Sequence, residues 1–181
     1  MSTTVYFSHI DSPLGPLFVR GDGQFVTGLY LPNHKHWAGP DASWQLADEL
    51  FVAVRDQLAE YFAGQRQQFD VPLKLAGTPF QQRVWQELAR IPFATTINYA
   101  ELARRVGQPS ASRAVGNANG RNPISIIVPC HRVIGASGKL TGYAGGVERK
   151  KWLLDHEARD FCQPIDYIAS YVPQKQSDIS V

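Results

Sequence analysis

Apolar runs and turn residues divide the chain into two unlike halves. Residues 3–31 read as strands. Leu17–Val19, Phe25–Val26 and Leu29–Leu31 are apolar runs separated by glycine-rich turns. Gly21-Asp22-Gly23 predicts a hairpin, because glycine accepts the positive φ that such turns need. Ser43 reads as a helix cap. Leu46, Leu50, Val54, Leu58 and Phe62 follow at intervals of four, which predicts one apolar helix face closed by Gly64. Phe69–Leu75 is short and β-prone, and Pro72 makes it an edge strand. This half reads as scaffold.

A different pattern begins at Gly77. Thr78-Pro79-Phe80-Gln81 predicts a helix start with a threonine cap, proline at the first position and glutamine returning a capping-box bond. Phe80, Val84, Trp85 and Leu88 form the buried face, and Ile91-Pro92 ends the helix. Asn98 caps a second helix, Tyr99–Val106, which stops at Gly107. Ser110 caps a third, Ala111–Asn119, closed by Gly120. Two short helices joined by a tight turn fit a helix-turn-helix or an ordinary helical hairpin. Ile124–Val128 reads as a buried strand stopped by Pro129, after which Cys130 and His131 follow directly. Glycine-rich loops surround 135–138 and 142–146. The last clear helix spans Val147–His156, with Glu157 at its end. Residues 161–181 show no periodicity, and Cys162 among them reads as a thiol without a role.

A hydrophobic fraction of 44% and a charged fraction of 19% are those of a globular chain, which excludes disordered and fibrous classes. No apolar run is long enough to span a bilayer, and MSTTVYFSHID lacks a secretory pattern. Two cysteines make neither a disulfide framework nor a metal clip, and His34 and His36 lack neighbouring ligand partners. No metal or cofactor is expected. The location expected is cytoplasmic, or on the nucleoid in a bacterium, and the protein a monomer in solution without a membrane partner.

Charge changes the picture. Residues 1–89 carry six Lys/Arg and nine Asp/Glu, whereas residues 90–140 carry seven Lys/Arg against Glu101 alone. The basic middle segment holds the candidate thiol and points to a polyanionic partner. Its second helix, ASRAVGNAN, has small residues and one long cation, Arg113. Small side chains let a helix approach DNA closely while reading few base edges, which fits shape or minor-groove binding. A solvated basic face is the alternative. Cys130 beside His131 fits either a buried structural thiol or a nucleophile.

The ordered set TPFQ, INYAELA, SRAVGNANGRNPI, PCHRV, TGYAGG and WLLDHE, from about Thr78 to Glu157, resembles the O6-alkylguanine-DNA alkyltransferases in their stand-alone form. The resemblance implies an α/β N-terminal domain of antiparallel sheet and helices (1–76), and a mostly α C-terminal domain with a winged-helix-like helix-turn-helix (77–160). A tail, 161–181, follows. It implies Cys130 as acceptor of an alkyl group from guanine O6 (with O4-alkylthymine a further substrate) in double-stranded DNA. The target base is flipped out and each chain acts once. His131 would contact the thiol through a water, Glu157 would orient His131, Tyr99 would donate to the base, and Asn122 would tie the helix pair to the active-site segment. Arg113 would fill the vacated space, with Ala111, Ser112, Ala114, Gly116 and Asn119 completing the DNA face. Tyr99, Val133, Tyr143, Ala144 and Gly145 would line the pocket; Ala144 stands where relatives commonly have serine. Rival classes are a cysteine hydrolase, a non-enzymatic sensor of alkylated bases and a transcription factor. The hydrolase would show turnover, the sensor would lack the cysteine, and the factor would need a richer second helix.

Overall fold

The computed structural model of the chain describes residues 4–160. Four strands, β1 (Tyr6–Ile10), β2 (Leu17–Gly21), β3 (Val26–Tyr30) and β4 (Gln45–Leu46), form a sheet in the order β3-β2-β1-β4. The first three pair antiparallel, as expected. β4 joins β1 in parallel, so the sheet is mixed. The hairpin between β2 and β3 is held by Asp22, whose Oδ1 accepts from the Gln24 and Phe25 N–H groups at 3.0 and 2.9 Å. Gly23 supplies the positive φ of 94°.

The helix expected from Ser43 does not start there. The Ser43 N–H donates to Asp41 Oδ1 at 2.8 Å. Gln45 and Ala47 donate instead to the Val5 and Phe7 carbonyls, both at 3.0 Å, which commits this stretch to the sheet. A 3₁₀ turn, Asp48–Phe51, then leads into α1, Val52–Phe62. Leu46 and Leu50 are 63% and 44% exposed and lie outside the buried face. That face is Val54, Leu58 and Tyr61. The predicted edge strand at Phe69–Leu75 reduces to one bridge, Val26 to Leu73.

The second half contains α2 (Pro79–Ala89), β5 (Ile97–Asn98), α3 (Tyr99–Arg105), α4 (Ser112–Gly120), β6 (Val133–Ile134) and α5 (Val147–Asp160). The capping box at Thr78 is present in both directions. Asn98 caps α3 by accepting from the Glu101 N–H at 2.8 Å. α4 begins after Ala111 with no side-chain cap, so Ser110 does not serve as one. The Trp85 indole donates to the Ala118 carbonyl at 2.9 Å and pins α2 to α4. β5 and β6 pair in parallel. Glu157 lies within α5 rather than beyond it. Cys162 and the tail fall outside the described residues.

Ile124–Val128 is a turn, not a strand. Only Ile124 makes a bridge, to Leu29 of β3. The Val128 N–H closes back on the Ile124 carbonyl at 3.0 Å, and Ile126 takes a φ of 72°. A left-handed conformation is costly for a β-branched residue and persists only where surroundings enforce it. One hydrophobic core runs through both halves, from Leu17, Leu29 and Leu58 to Trp85, Leu102, Val115 and Leu153.

Truncation separates the observed α1 face from the expected one. Leu58→Ala should cost about 2–5 kcal/mol in denaturant unfolding, as for a core leucine. Leu46→Ala and Leu50→Ala should stay within about 0.5 kcal/mol, as for surface sites.

Candidate active site

Asn122 shapes the turn that delivers the thiol. Its Oδ1 accepts from the Ile124 N–H at 3.0 Å. Its amide donates to the Val128 carbonyl at 2.7 Å and the Ile124 carbonyl at 3.3 Å. One buried side chain thus replaces the partner that a strand would have supplied. The chain leaves this turn at Pro129 into a 3₁₀ turn, Cys130–Arg132. Cys130 is a free cysteine, and it is buried.

Behind it lies a saturated carboxylate. Glu157 Oε1 accepts from Tyr61 Oη at 2.8 Å, His131 Nε2 at 2.7 Å and Arg132 Nη2 at 3.0 Å. Its Oε2 accepts from Arg132 Nε at 2.9 Å and the Ala94 N–H at 3.2 Å. Burial alone would raise this carboxyl; the charges and hydrogen bonds of His131 and Arg132 overcome that and hold it well below the usual range. Nε2 against a carboxylate carries the ring proton, which leaves Nδ1 as the acceptor. Nδ1 is buried without a hydrogen-bond partner among the described residues. Burial holds His131 below its ordinary value, with Glu157 opposing, so the ring rests neutral and has a lone pair to offer.

Burial also pushes the Cys130 thiol up, and the Asn122 amide, the Lys150 ammonium and Tyr143 offset only part of this. The resting sulfur is therefore a thiol, not the preformed thiolate that a neighbouring imidazolium would give. Lys150 is fully buried, and its Nζ donates to the Val133 carbonyl at 2.6 Å. The ammonium stands 6.0 Å from the Tyr99 ring centre and 5.9 Å from that of Tyr143. Burial brings Lys150 down to about 8, so it remains mostly charged at neutral pH. Tyr99 and Tyr143 are raised by burial and by the thiol, and both stay protonated donors. Tyr99 Oη has only a weak tether, 3.5 Å to the Thr141 carbonyl.

Sequence reasoning named Cys130, His131, Glu157, Asn122, Tyr99 and Tyr143, and the fold brings them together. Val133 is buried beside them, and Ala144 and Gly145 belong to the loop opposite. It missed Tyr61, Arg132 and Lys150. Lys150 had a legible signal: with Leu153, Leu154 and Glu157 it occupies one buried stripe of α5 at i, i+3, i+4 and i+7. Two ionisable residues on an apolar stripe mark a site.

The DNA face divides. Arg113 and Ala114 are exposed on α4, and Ala111, Ser112 and Gly116 are half-exposed. Arg113 makes no ion pair among the described residues. Asn119 is buried and donates to the Cys130 carbonyl at 3.4 Å, so it belongs to the interior rather than to a groove-facing surface. A Cβ on Gly116 would meet the Tyr99 ring at 3.5 Å, so α4 lies directly against the pocket tyrosine. The basic surplus is smaller than the sequence implied. Arg132 is buried on Glu157, Arg104 and Arg105 are paired with Glu101, and Arg90 with Glu87. Arg113, Arg121 and Lys139 remain exposed.

Two family models match: 6-O-methylguanine DNA methyltransferase, ribonuclease-like domain, over residues 5–75, and 6-O-methylguanine DNA methyltransferase, DNA binding domain, over residues 79–159. The chain belongs to the 6-O-methylguanine DNA methyltransferase family. A methylated-DNA--protein-cysteine methyltransferase of Mycobacterium tuberculosis is 52% identical over 159 residues, covering 84% of this chain and 92% of that protein. One from Methanosarcina acetivorans is 48% identical over 154 residues, covering 84% of this chain and 98% of that protein. The crystal structure of M. tuberculosis OGT in complex with DNA matches with a TM-score of 0.81 at 50% identity. The match covers 86% of this chain and 94% of that one.

Glu157, held low by His131 and Arg132, contributes to the acid stability of this methyltransferase-family fold. A carboxyl held below its unfolded value contributes its full stabilisation above about pH 4.3 and loses it as pH falls further. Glu157→Gln should flatten that acid limb. It should also cost about 3–5 kcal/mol near neutrality, because Arg132 is left buried and unpaired. Denaturant unfolding as a function of pH measures both.

Proposed function

We propose that this protein repairs DNA by moving the alkyl group of an O6-alkylguanine onto its own Cys130, once per chain. The observation that carries the reading is the buried His131–Glu157 pair, one residue along from the buried Cys130 and beside an exposed helix pair, in a member of this family. Residues 1–76 serve as scaffold and 77–160 as the transfer unit. The protein works as a monomer in the cytoplasm, on the nucleoid if the cell is bacterial.

The reacting base cannot be reached within a duplex, so it is flipped out at a cost of a few kcal/mol for unstacking. Arg113, exposed at the start of α4, occupies the vacated space. Small neighbours at Ala111, Ser112, Ala114 and Gly116 let the helix backbone approach the groove. Inside the pocket, the thiol proton passes to His131 Nδ1 through one water, and Glu157 stabilises the imidazolium. The Lys150 ammonium and Asn122 amide favour the sulfur anion as it forms. The thiolate attacks the alkyl carbon, a C–S bond forms and the C–O6 bond breaks. The electron pair goes to guanine, which Tyr99 Oη stabilises by donation. Val133, Tyr143 and the backbone of Ala144 and Gly145 enclose the transferred group. Alanine at 144 offers only its N–H where a serine would add a hydroxyl. A thioether is a poor leaving group, so the product is stable. O4-alkylthymine presents the same alkyl ether and is a second substrate of this reading.

Intact mass after incubation with duplex carrying O6-methylguanine should rise by one methylene, mapped to the Cys130 peptide, and stop at one lesion per chain. Cys130→Ala should bind DNA and transfer nothing. Continued turnover, or an unmodified sulfur, would overturn the assignment.

Arg113→Ala should slow repair in duplex at least tenfold more than reaction with free O6-benzylguanine, since only the duplex requires flipping. Equal losses on the two substrates, read from single-turnover rates, would remove Arg113 from that role.

A further inference from the structure

In the alkyl-transfer reading, the loop between β6 and α5 is the far wall of the pocket through Tyr143, Ala144 and Gly145. It is not anchored within its own half of the molecule alone. The Ala144 carbonyl accepts from the Lys35 N–H at 2.9 Å. The Gly145 carbonyl accepts from Arg149 Nη1 at 3.0 Å, and the same Nη1 reaches the Pro32 carbonyl at 3.1 Å. Arg149 Nε donates to the Leu14 carbonyl at 3.1 Å. One half-buried guanidinium therefore gathers three carbonyls, two from the N-terminal unit and one from the pocket loop. Among the described residues it forms no ion pair with a carboxylate. Charge-assisted bonds to neutral carbonyls are stronger than neutral ones, and the planar fork fixes their direction.

The close approach is also steric. A Cβ on Gly145 would stand 2.3 Å from Leu31 Cδ1 and 3.1 Å from Leu31 Cβ. Only glycine lets the loop pack this tightly on the segment after β3. Arg149 pulls the loop against the N-terminal unit, and Leu31 stops it at a fixed depth.

We propose that Arg149 is a positioning residue for substrate capture. It clamps the 143–146 wall to the N-terminal unit, and so lets that unit set the size of alkyl group the pocket admits. The inference rests on the alkyl-transfer reading above. It gives the N-terminal unit a role in selectivity that no catalytic side chain there supplies. Arg149 stands next to Lys150 on α5, so one turn of helix fixes both the wall and the buried ammonium.

The test uses the full chain and two duplexes, one with O6-methylguanine and one with O6-benzylguanine, in single-turnover kinetics at varied concentration. Arg149→Met keeps an unbranched apolar stem and removes every donor. It should raise the half-saturating concentration for the methylated duplex about tenfold or more, the loss expected for one strong bond. The limiting rate, its pH profile and the affinity for undamaged DNA should hold. The penalty should be smaller for the benzyl duplex, because a loosened wall still touches a large group. Arg149→Lys should restore part of the loss. Gly145→Ala, which pushes the loop off Leu31, should shift the methyl-to-benzyl ratio in the same direction, and Leu31→Ala added to it should relieve that shift. That pair decides the matter if Arg149→Met fails to fold.

An unchanged half-saturation and methyl-to-benzyl ratio in the folded variants would overturn the proposal while leaving alkyl transfer intact. A fall in limiting rate with a shifted pH profile would also overturn it, by placing Arg149 in the chemistry. If the wild-type chain fails to alkylate Cys130, the underlying reading falls instead.

Discussion

One ionised carboxylate in the interior holds the molecule's two halves and its chemistry together. Glu157 is removed from water, which would ordinarily drive it to the neutral acid. It remains charged because five donors converge on it, from α1 of the first unit, from the segment after α2 and from the turn that carries the thiol. Arg132, whose remaining nitrogen bonds the Ile91 carbonyl at 2.6 Å, supplies the guanidinium charge that faces the carboxylate. The arrangement is stable only when complete. Removing one partner strands a buried charge, so folding and the readiness of His131 are coupled through the same atoms.

α5 transmits this order along its length. Its buried stripe begins with Lys150, bound to the β6 carbonyl of Val133, and ends with Glu157. Packing of Leu153 and Leu154 between them fixes the distance from ammonium to carboxylate. The opposite support is the Asn122 turn, where a left-handed Ile126 is tolerated because three side-chain hydrogen bonds and full burial leave it no alternative. β3 braces that turn: the Leu29 N–H donates to the Pro123 carbonyl at 2.8 Å, and the Leu29 carbonyl accepts from the Ser125 N–H at 2.9 Å. The sheet edge of the first unit is thereby capped by the active-site turn of the second.

What could be read from the chain was local chemistry at element ends. The Thr78 capping box, the Asn98 cap and the helix pair follow from side chains within four residues of one another. The failures share a cause. Leu46 and Leu50 continue a period of four, yet β1 claims residues 45–46 for the sheet, and no local pattern records a parallel partner some forty residues away. Ile124–Val128 has a strand's composition, but the Asn122 amide satisfies its backbone first. Asn119 looked groove-facing because the helical register of so short a segment is set by Trp85 and Tyr99, on other elements. Tyr61 and Arg132 were invisible as site residues because their common partner, Glu157, is distant in sequence. The motif order identified the family; the carboxylate's full set of donors needed the fold.

The buried thiol gives the proposed reaction its selectivity. A sulfur held neutral by desolvation is a poor nucleophile toward electrophiles that diffuse past the protein. In the proposed mechanism, proton loss becomes favourable only when a proton acceptor, a cation and a waiting electrophile are all in place, with His131 and Lys150 as the first two. The third must enter a pocket whose wall is pinned to the other half of the molecule. An extrahelical base meets that requirement because it carries its alkyl carbon at the end of a flat group able to slide between Tyr99 and the 143–146 loop. Reactivity is then conferred by occupancy rather than by a standing thiolate. A protein that spends itself on each event gains from this arrangement, since every thiol alkylated by a stray reagent is a chain lost to repair.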